Sequence, residues 1–427
     1  MTISSTFLHH YVRHYRIQEI IKGEKLINSS TISWLDFSES DRRNMVQVIS
    51  LFKHPDTRDE MGLARIRDGF AEMFFPGTTT IQTRARYILY VPWSYLILEN
   101  RKTPSSKVEE RMRYLELQVM EALEKSGETQ GIIGQRSGKN LQRFPSSIYW
   151  NGLRTWEILR FPGYQHQYHR SLDHFYRSKG SSYEKESPEY VGGSKANWDP
   201  NLPDHPTDFP EKVTFEITKK EAEYLSERLL ISCNRSLLAY LVNNTSPVDV
   251  TFAWLHPEKE NFPEHLQTQL RHARNFSETM QGTALLYNLL LAEKRGSEEL
   301  IDVFRERLSA WIENLRMREY GLKNWDRQEF WESISHFNVY FSTQKFINEW
   351  LSLLLDGEGI TDPVENEEMR NLVHHREYRL KGKRSRLKNQ RHLELWSGDA
   401  GTTQLDFRWG IGNQIAMDIQ NGLGRGL

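Results

Sequence analysis

The sequence predicts a mainly α fold: a helix-turn-helix-like N-terminal domain and a helical C-terminal domain with few short strands. Two observations carry this. Apolar residues recur at helical spacing in stretch after stretch, and helix-start signals of the Ser/Thr-x-x-acid or -amide kind precede several of them. Strand-like alternation is confined to short pieces such as Val213-Thr214-Phe215-Glu216-Ile217. At 427 residues the chain is too long for one ordinary core. The expected division is a basic extension over 1–30, a helical domain over 31–177, a loop-rich linker over 178–212 and a helical domain over 213–427.

In chain order, residues 1–30 fit a basic amphipathic helix. His10 and His14 there have the i, i+4 spacing of a metal pair, but no carboxylate or cysteine completes a site, so a solvated helix is preferred. Ser38 to Phe52 reads as a capped helix. From Leu63 to Leu98 two helix-sized pieces flank Pro76-Gly77, and Pro92 should end or kink the second. Thr79-Thr80-Ile81-Gln82 has the form of a capping box, and Gln82, Arg84 and Arg86 fall off the apolar face of the helix it would start. Helix, glycine turn and a helix with exposed Gln and Arg near its start is the pattern of a groove-reading helix-turn-helix, although a two-helix hairpin is first of all a core-building unit.

Ser106 to Lys125 forms a further helix, and Pro145-Ser146-Ser147 starts another that reaches Leu159. Gly131 to Lys139 resembles a phosphate loop but lacks the first glycine and the hydroxyl residue after Lys139, so it is not a Walker loop. Residues 136–177 hold seven Arg or Lys against Glu157 and Asp173, interleaved with tyrosines and with His166, His169 and His174. Such a face can grip phosphates and stack on bases, or simply be solvated. Residues 178–211 carry five prolines and almost no aliphatics, the composition of a surface loop.

Thr218-x-x-Glu221 caps a helix, and Ser236 to Val242 makes a short apolar one. From Pro263 the chain is strongly helical through LLYNLLLA, with helices over Glu298 to Glu319, Gln328 to Phe337 and Ser342 to Leu355, and Trp311, Trp331 and Trp350 as core pieces. Asn288 and His336 read as hydrogen-bonded core polars. Residues 370–391 hold nine Lys or Arg with only Glu377 against them. Arg379, Lys381, Lys383, Arg384, Arg386 and Lys388 are thus candidate phosphate contacts.

Composition limits function. With 56 basic and 57 acidic residues, bulk charge does not direct the chain to polyanions, so any such contact must be local. Cys233 is the single cysteine, which rules out an intramolecular disulfide and multi-cysteine zinc sites and suits a reducing cytoplasm. No 18-residue apolar run occurs, so no membrane is expected as a partner and a cytoplasmic location is. No [DE]xK, HxK, HExxH or HRD element is present, and spacing nominates no set of ligands with a general base. Hence no cofactor, metal or catalytic residue is expected.

The segments WLDFSESDRR (Trp34 to Arg43), Gly62 to Trp93, PSSIYWNGL (Pro145 to Leu153) and LDFRW (Leu405 to Trp409) resemble a bacterial domain-of-unknown-function family, DUF6361. That resemblance implies a gene setting beside helicase-like and phospholipase D-like genes in bacterial defence islands, and nothing direct about chemistry. The preferred reading is a non-enzymatic DNA-binding or adaptor subunit of an anti-phage defence system, with helicase-like or phospholipase D-like defence proteins as partners. A nuclease or other hydrolase of unfamiliar type, sited among His166, His169 and His174 or in the C-terminal domain, is the alternative. A purely structural interaction subunit is the second.

Overall fold

The computed structural model describes residues 59–181 and 196–425. These fall in one compact unit, residues 51–427. The helices expected over 1–30 and 38–52 lie outside the described residues. Fifteen α-helices run through the rest: α1 (Ala64–Phe74), α2 (Tyr87–Asn100), α3 (Val108–Lys125), α4 (Pro145–Thr155), α5 (Gln165–Ser181), α6 (Lys219–Ser232), α7 (Leu237–Asn244), α8 (Glu264–Arg295), α9 (Glu298–Arg316), α10 (Glu319–Lys323), α11 (Arg327–Ser333), α12 (Phe341–Leu355), α13 (Glu367–Lys381), α14 (Gln390–Glu394) and α15 (Trp409–Gly422).

Local signals account for many of the boundaries. Pro145 opens α4 at its first turn, where its missing N–H costs nothing. The Thr218 and Glu221 capping box forms at α6, and Ser236, Asp326 and Asn366 cap α7, α11 and α13. Gly296, with φ of 72°, closes α8 in the left-handed conformation.

The 32-residue α8 is the axis of the fold and lies along α9 and α13. It is buried around most of its circumference, so its polar residues must find partners inside. Thr279 and Thr283 bond back to Asn275 O and Met280 O, and Ser277 donates to Leu405 O. Asn288 donates to Ala284 O and Ala400 O and accepts from Trp396 Nε1, as expected of a core amide. Gly282 is required by packing: a Cβ there would sit 2.3 Å from the Trp311 ring of α9. Trp311 and Trp350 are buried, whereas Trp331 is partly buried and donates to Asn348. His336 is not a core polar; it is exposed, its ring packed edge-on against Phe337.

Aromatic side chains join the first helix to the last. Phe70 of α1 meets Phe330, Phe337 and Phe407, and Phe75 packs on Trp409 of α15. Residues from both sides of 178–212 enter the same core. Of that stretch, Trp198 and Phe209 are buried, and an antiparallel bridge joins Leu159 to Trp198.

Two expectations fail for identifiable reasons. Residues 213–217 form no strand, and the described residues contain no sheet. The backbone groups of this stretch are taken by side chains instead: Glu128 accepts from Phe215 N, and Arg86 donates to Thr214 O. The second helix of the expected hairpin does not begin at Thr79. Residues 78–86 are irregular and α2 starts at Tyr87, because Tyr149 OH accepts from the amides of Thr83 and Arg84 and Asp418 accepts from that of Ala85. These partners lie more than sixty residues away. Pro92 sits inside α2, which is buried on all sides from Tyr87 to Tyr95 and held by tertiary contacts such as Trp93 Nε1 to Pro203 O.

Candidate nucleic-acid interface

The basic segment is built on α13 and the turn after it. Asn366 and two acids in the first turn start this helix, and Gly382, with φ of 54°, ends it. The chain then makes a tight turn through Ser385 toward α14. Glu377, wholly buried, fixes that turn by accepting from Arg386 N at 2.7 Å and from the Ser385 hydroxyl.

The turn sorts the six candidate cations into two groups. Lys381 and Arg386 point inward. Lys381 pairs with Glu60 and lies 3.5 Å from Glu377, and Arg386 reaches Glu60 at 3.0 Å. Tyr287 of α8 joins both, accepting from Lys381 Nζ at 2.8 Å, and burial pushes its phenol well above the ordinary range. Two buried carboxylates thus meet two cations and a neutral hydroxyl, which is how buried charge is tolerated.

Arg379, Lys383, Arg384 and Lys388 are exposed, as is the adjacent Arg391. Among the described residues none of the five has an acidic partner for its side chain. Lys388 instead places its ammonium 3.8 Å from the centre of the exposed Tyr378 ring. Arg384 also borders a groove of about 430 Å³ that reaches Glu60, Arg386 and His392. Nearby, Arg376 is buried and ties α13 to Met61 O, Ser342 O and Thr343.

Gln82, Arg84 and Arg86 are not brought to this surface. Gln82 is 2 % exposed and donates to Gly77 O and Ile148 O. Arg84 pairs with Asp418 at 2.9 Å and lies over the Phe215 ring. Arg86 is buried against Glu221 at 3.0 Å. All three hold the 78–86 segment against α4, α6 and α15, so the helix that was to present them to a groove is absent.

The three histidines do not converge either. All sit on α5, where His166 stacks on Tyr164 and His174 is exposed. His169 faces inward and ends a polar chain. Ser146 engages Glu116, Gln165 donates to Ser146 and Tyr95, and the Tyr95 hydroxyl lies 2.9 Å from His169 Nε2. Burial lowers the His169 pKa to about 4 and raises that of Glu116 to about 8. Of the other cations near it, Arg160 pairs with the buried Asp199, while Arg136, Arg154 and Arg170 are exposed. Among the described residues no three His, Cys, Asp or Glu are grouped to hold a metal ion, and no helix is long and apolar enough to cross a membrane.

Sequence reasoning missed Glu60 and Tyr287, which anchor the basic turn. The one local sign was Glu377, a lone acid in a basic run; its partners come from other elements. No curated protein and no solved structure matches the chain. The model of a family of unknown function, DUF6361, matches residues 29–421, and the chain belongs to that family.

Proposed function

We propose that this chain binds nucleic acid through the outer face of the α13–α14 turn and acts as an adaptor rather than a catalyst. The observation that carries this reading is the separation of charge across the turn. Its inner cations neutralise Glu60 and Glu377, which leaves Arg379, Lys383, Arg384, Lys388 and Arg391 unopposed on a rigid support. A fixed array of solvated cations in a molecule of net charge −1 supplies phosphate contacts without a general attraction to polyanions. The family resemblance supports an anti-phage defence setting, with helicase-like or phospholipase D-like proteins as the partners an adaptor would serve.

The test is an electrophoretic shift with duplex and single-stranded DNA of two unrelated sequences. The triple variant Arg379→Ala, Arg384→Ala, Lys388→Ala should bind every sequence more weakly than the parent. Equal binding by parent and variant would refute the reading. Cleavage of the DNA in the presence of divalent metal would refute the adaptor assignment.

A further inference from the structure

A second cationic site lies at a different place in the fold, where α8 and α9 meet the turn before α10, and it does not rest on the reading above. Lys259, Arg271, Arg274 and Arg318 border a cavity of about 220 Å³ floored by Trp254 and Leu270, with Glu260 the one acid on its wall. Arg274 and Arg318 also form the wall of an adjoining cavity of about 370 Å³. That second space differs in chemistry. Gln281, Asn314 and Gln404 offer amides, beside the Trp311 indole and the exposed thioether of Met317.

The shared wall is preorganised. Glu278 accepts from Arg274 Nε at 2.7 Å and pairs with Arg318, and Asn275 accepts from Arg318 Nη2 at 2.8 Å. These bonds fix both guanidiniums, and the Arg274 terminal nitrogens are left without a protein partner. The two guanidiniums also repel one another: burial, then Arg274, lowers the Arg318 pKa to about 10. An anion between them would relieve that repulsion and accept the free N–H groups.

We propose that these joined cavities bind a free nucleoside monophosphate, its phosphate held by Arg274, Arg318 and Lys259 and its base set among Gln281, Asn314 and Gln404 against Trp311. Taken together the two volumes suit a ligand of that class, for which sites of roughly 300–1,000 Å³ are usual. Amides that both donate and accept can read a base edge, and an indole beside them supplies a stacking or edge contact.

Calorimetric titration of the full chain tests this with AMP, GMP, CMP, UMP, inorganic phosphate and adenosine. At least one monophosphate should bind, more tightly than inorganic phosphate, and adenosine should not bind. Arg318→Gln and Arg274→Gln should each weaken that binding about 10- to 100-fold, the usual effect of losing a charge-assisted hydrogen bond. Because these arginines also hold α8 to the following turn, Asn314→Leu is the control that spares the fold; Asn314 is exposed on α9. It should weaken the monophosphate and leave inorganic phosphate unchanged. No binding by any monophosphate at millimolar concentration, or binding unaltered in all three variants, would overturn the proposal. Inorganic phosphate binding as tightly as every nucleotide would overturn the base compartment. Tighter binding of a 5′-phosphorylated oligonucleotide than of the mononucleotides would reassign the site to a strand end.

Discussion

Two stretches of this chain carry closely spaced basic side chains, 82–86 and 379–391, and the fold treats them oppositely. Arg84 and Arg86 face Asp418 and Glu221 and are drawn into the interior as fasteners between the first and last parts of the unit. In the second stretch the available acids, Glu60 and Glu377, are used up by Lys381 and Arg386, and the remaining cations stay in solvent. The difference is not in the basic residues themselves. It lies in how many carboxylates distant parts of the chain deliver to them.

This contrast is sharpest where a buried pair is broken. Arg86→Ala leaves the Glu221 carboxylate buried beside a cavity, with a side chain only 6 % exposed. The expected cost is about 3–5 kcal/mol, read from the urea unfolding midpoint. A cost under about 1 kcal/mol would place Arg86 with the surface cations.

His169 offers a comparison within the interior. Its folded pKa of about 4 lies below the ordinary 6.5, so the unfolded chain binds a proton first. Its contribution is complete above pH 6.5 and is lost as pH falls toward 4, up to about 3 kcal/mol. His169→Gln should flatten that acid limb in thermal melts recorded from pH 7 to 4. His166→Gln, at an exposed position on the same helix, should leave it intact.

Lys381 stands between the two regimes, partly exposed yet bonded to Glu60 and Tyr287. Lys381→Ala should cost about 1–3 kcal/mol and loosen the turn, with faster amide exchange at Arg386, whose N–H bonds to Glu377. Smallest of all is the effect expected from Arg379→Ala, Arg384→Ala and Lys388→Ala together. Stability should stay within about 0.5 kcal/mol per substitution, the usual range for surface changes.

Much of the helical frame was legible in the chain. The residues 106–125, 298–316 and 342–355 carry uninterrupted helical periodicity, and Thr218 with Glu221 states its cap locally. What misled was any signal whose partner lies far off. Thr79 and Gln82 have the form of a capping box, but the Gln82 amide bonds across to Ile148 O and Tyr149 and Asp418 take the amides that would have begun the helix. Val213 to Ile217 alternates as a strand does, but no second strand exists beside it among the described residues. The candidate interface was half legible for the same reason. Charge density marked 370–391, whereas the division into inner and outer cations depends on Glu60 and Tyr287, placed there only by the packing of α8.

The central claim is that acidic partners, not basic density, decide which cations meet solvent and phosphate. The salt dependence of DNA binding by three proteins measures it most directly: the parent, the Arg379, Arg384 and Lys388 triple alanine variant, and Arg84→Ala. Each lost phosphate contact removes about 0.7–0.9 from the slope of log K against log salt. The triple variant should therefore lose about 2–3 from that slope, and Arg84→Ala, whose guanidinium is spent on Asp418, should keep the parent's value. A slope that falls for Arg84→Ala and stays put for the triple variant would contradict the account.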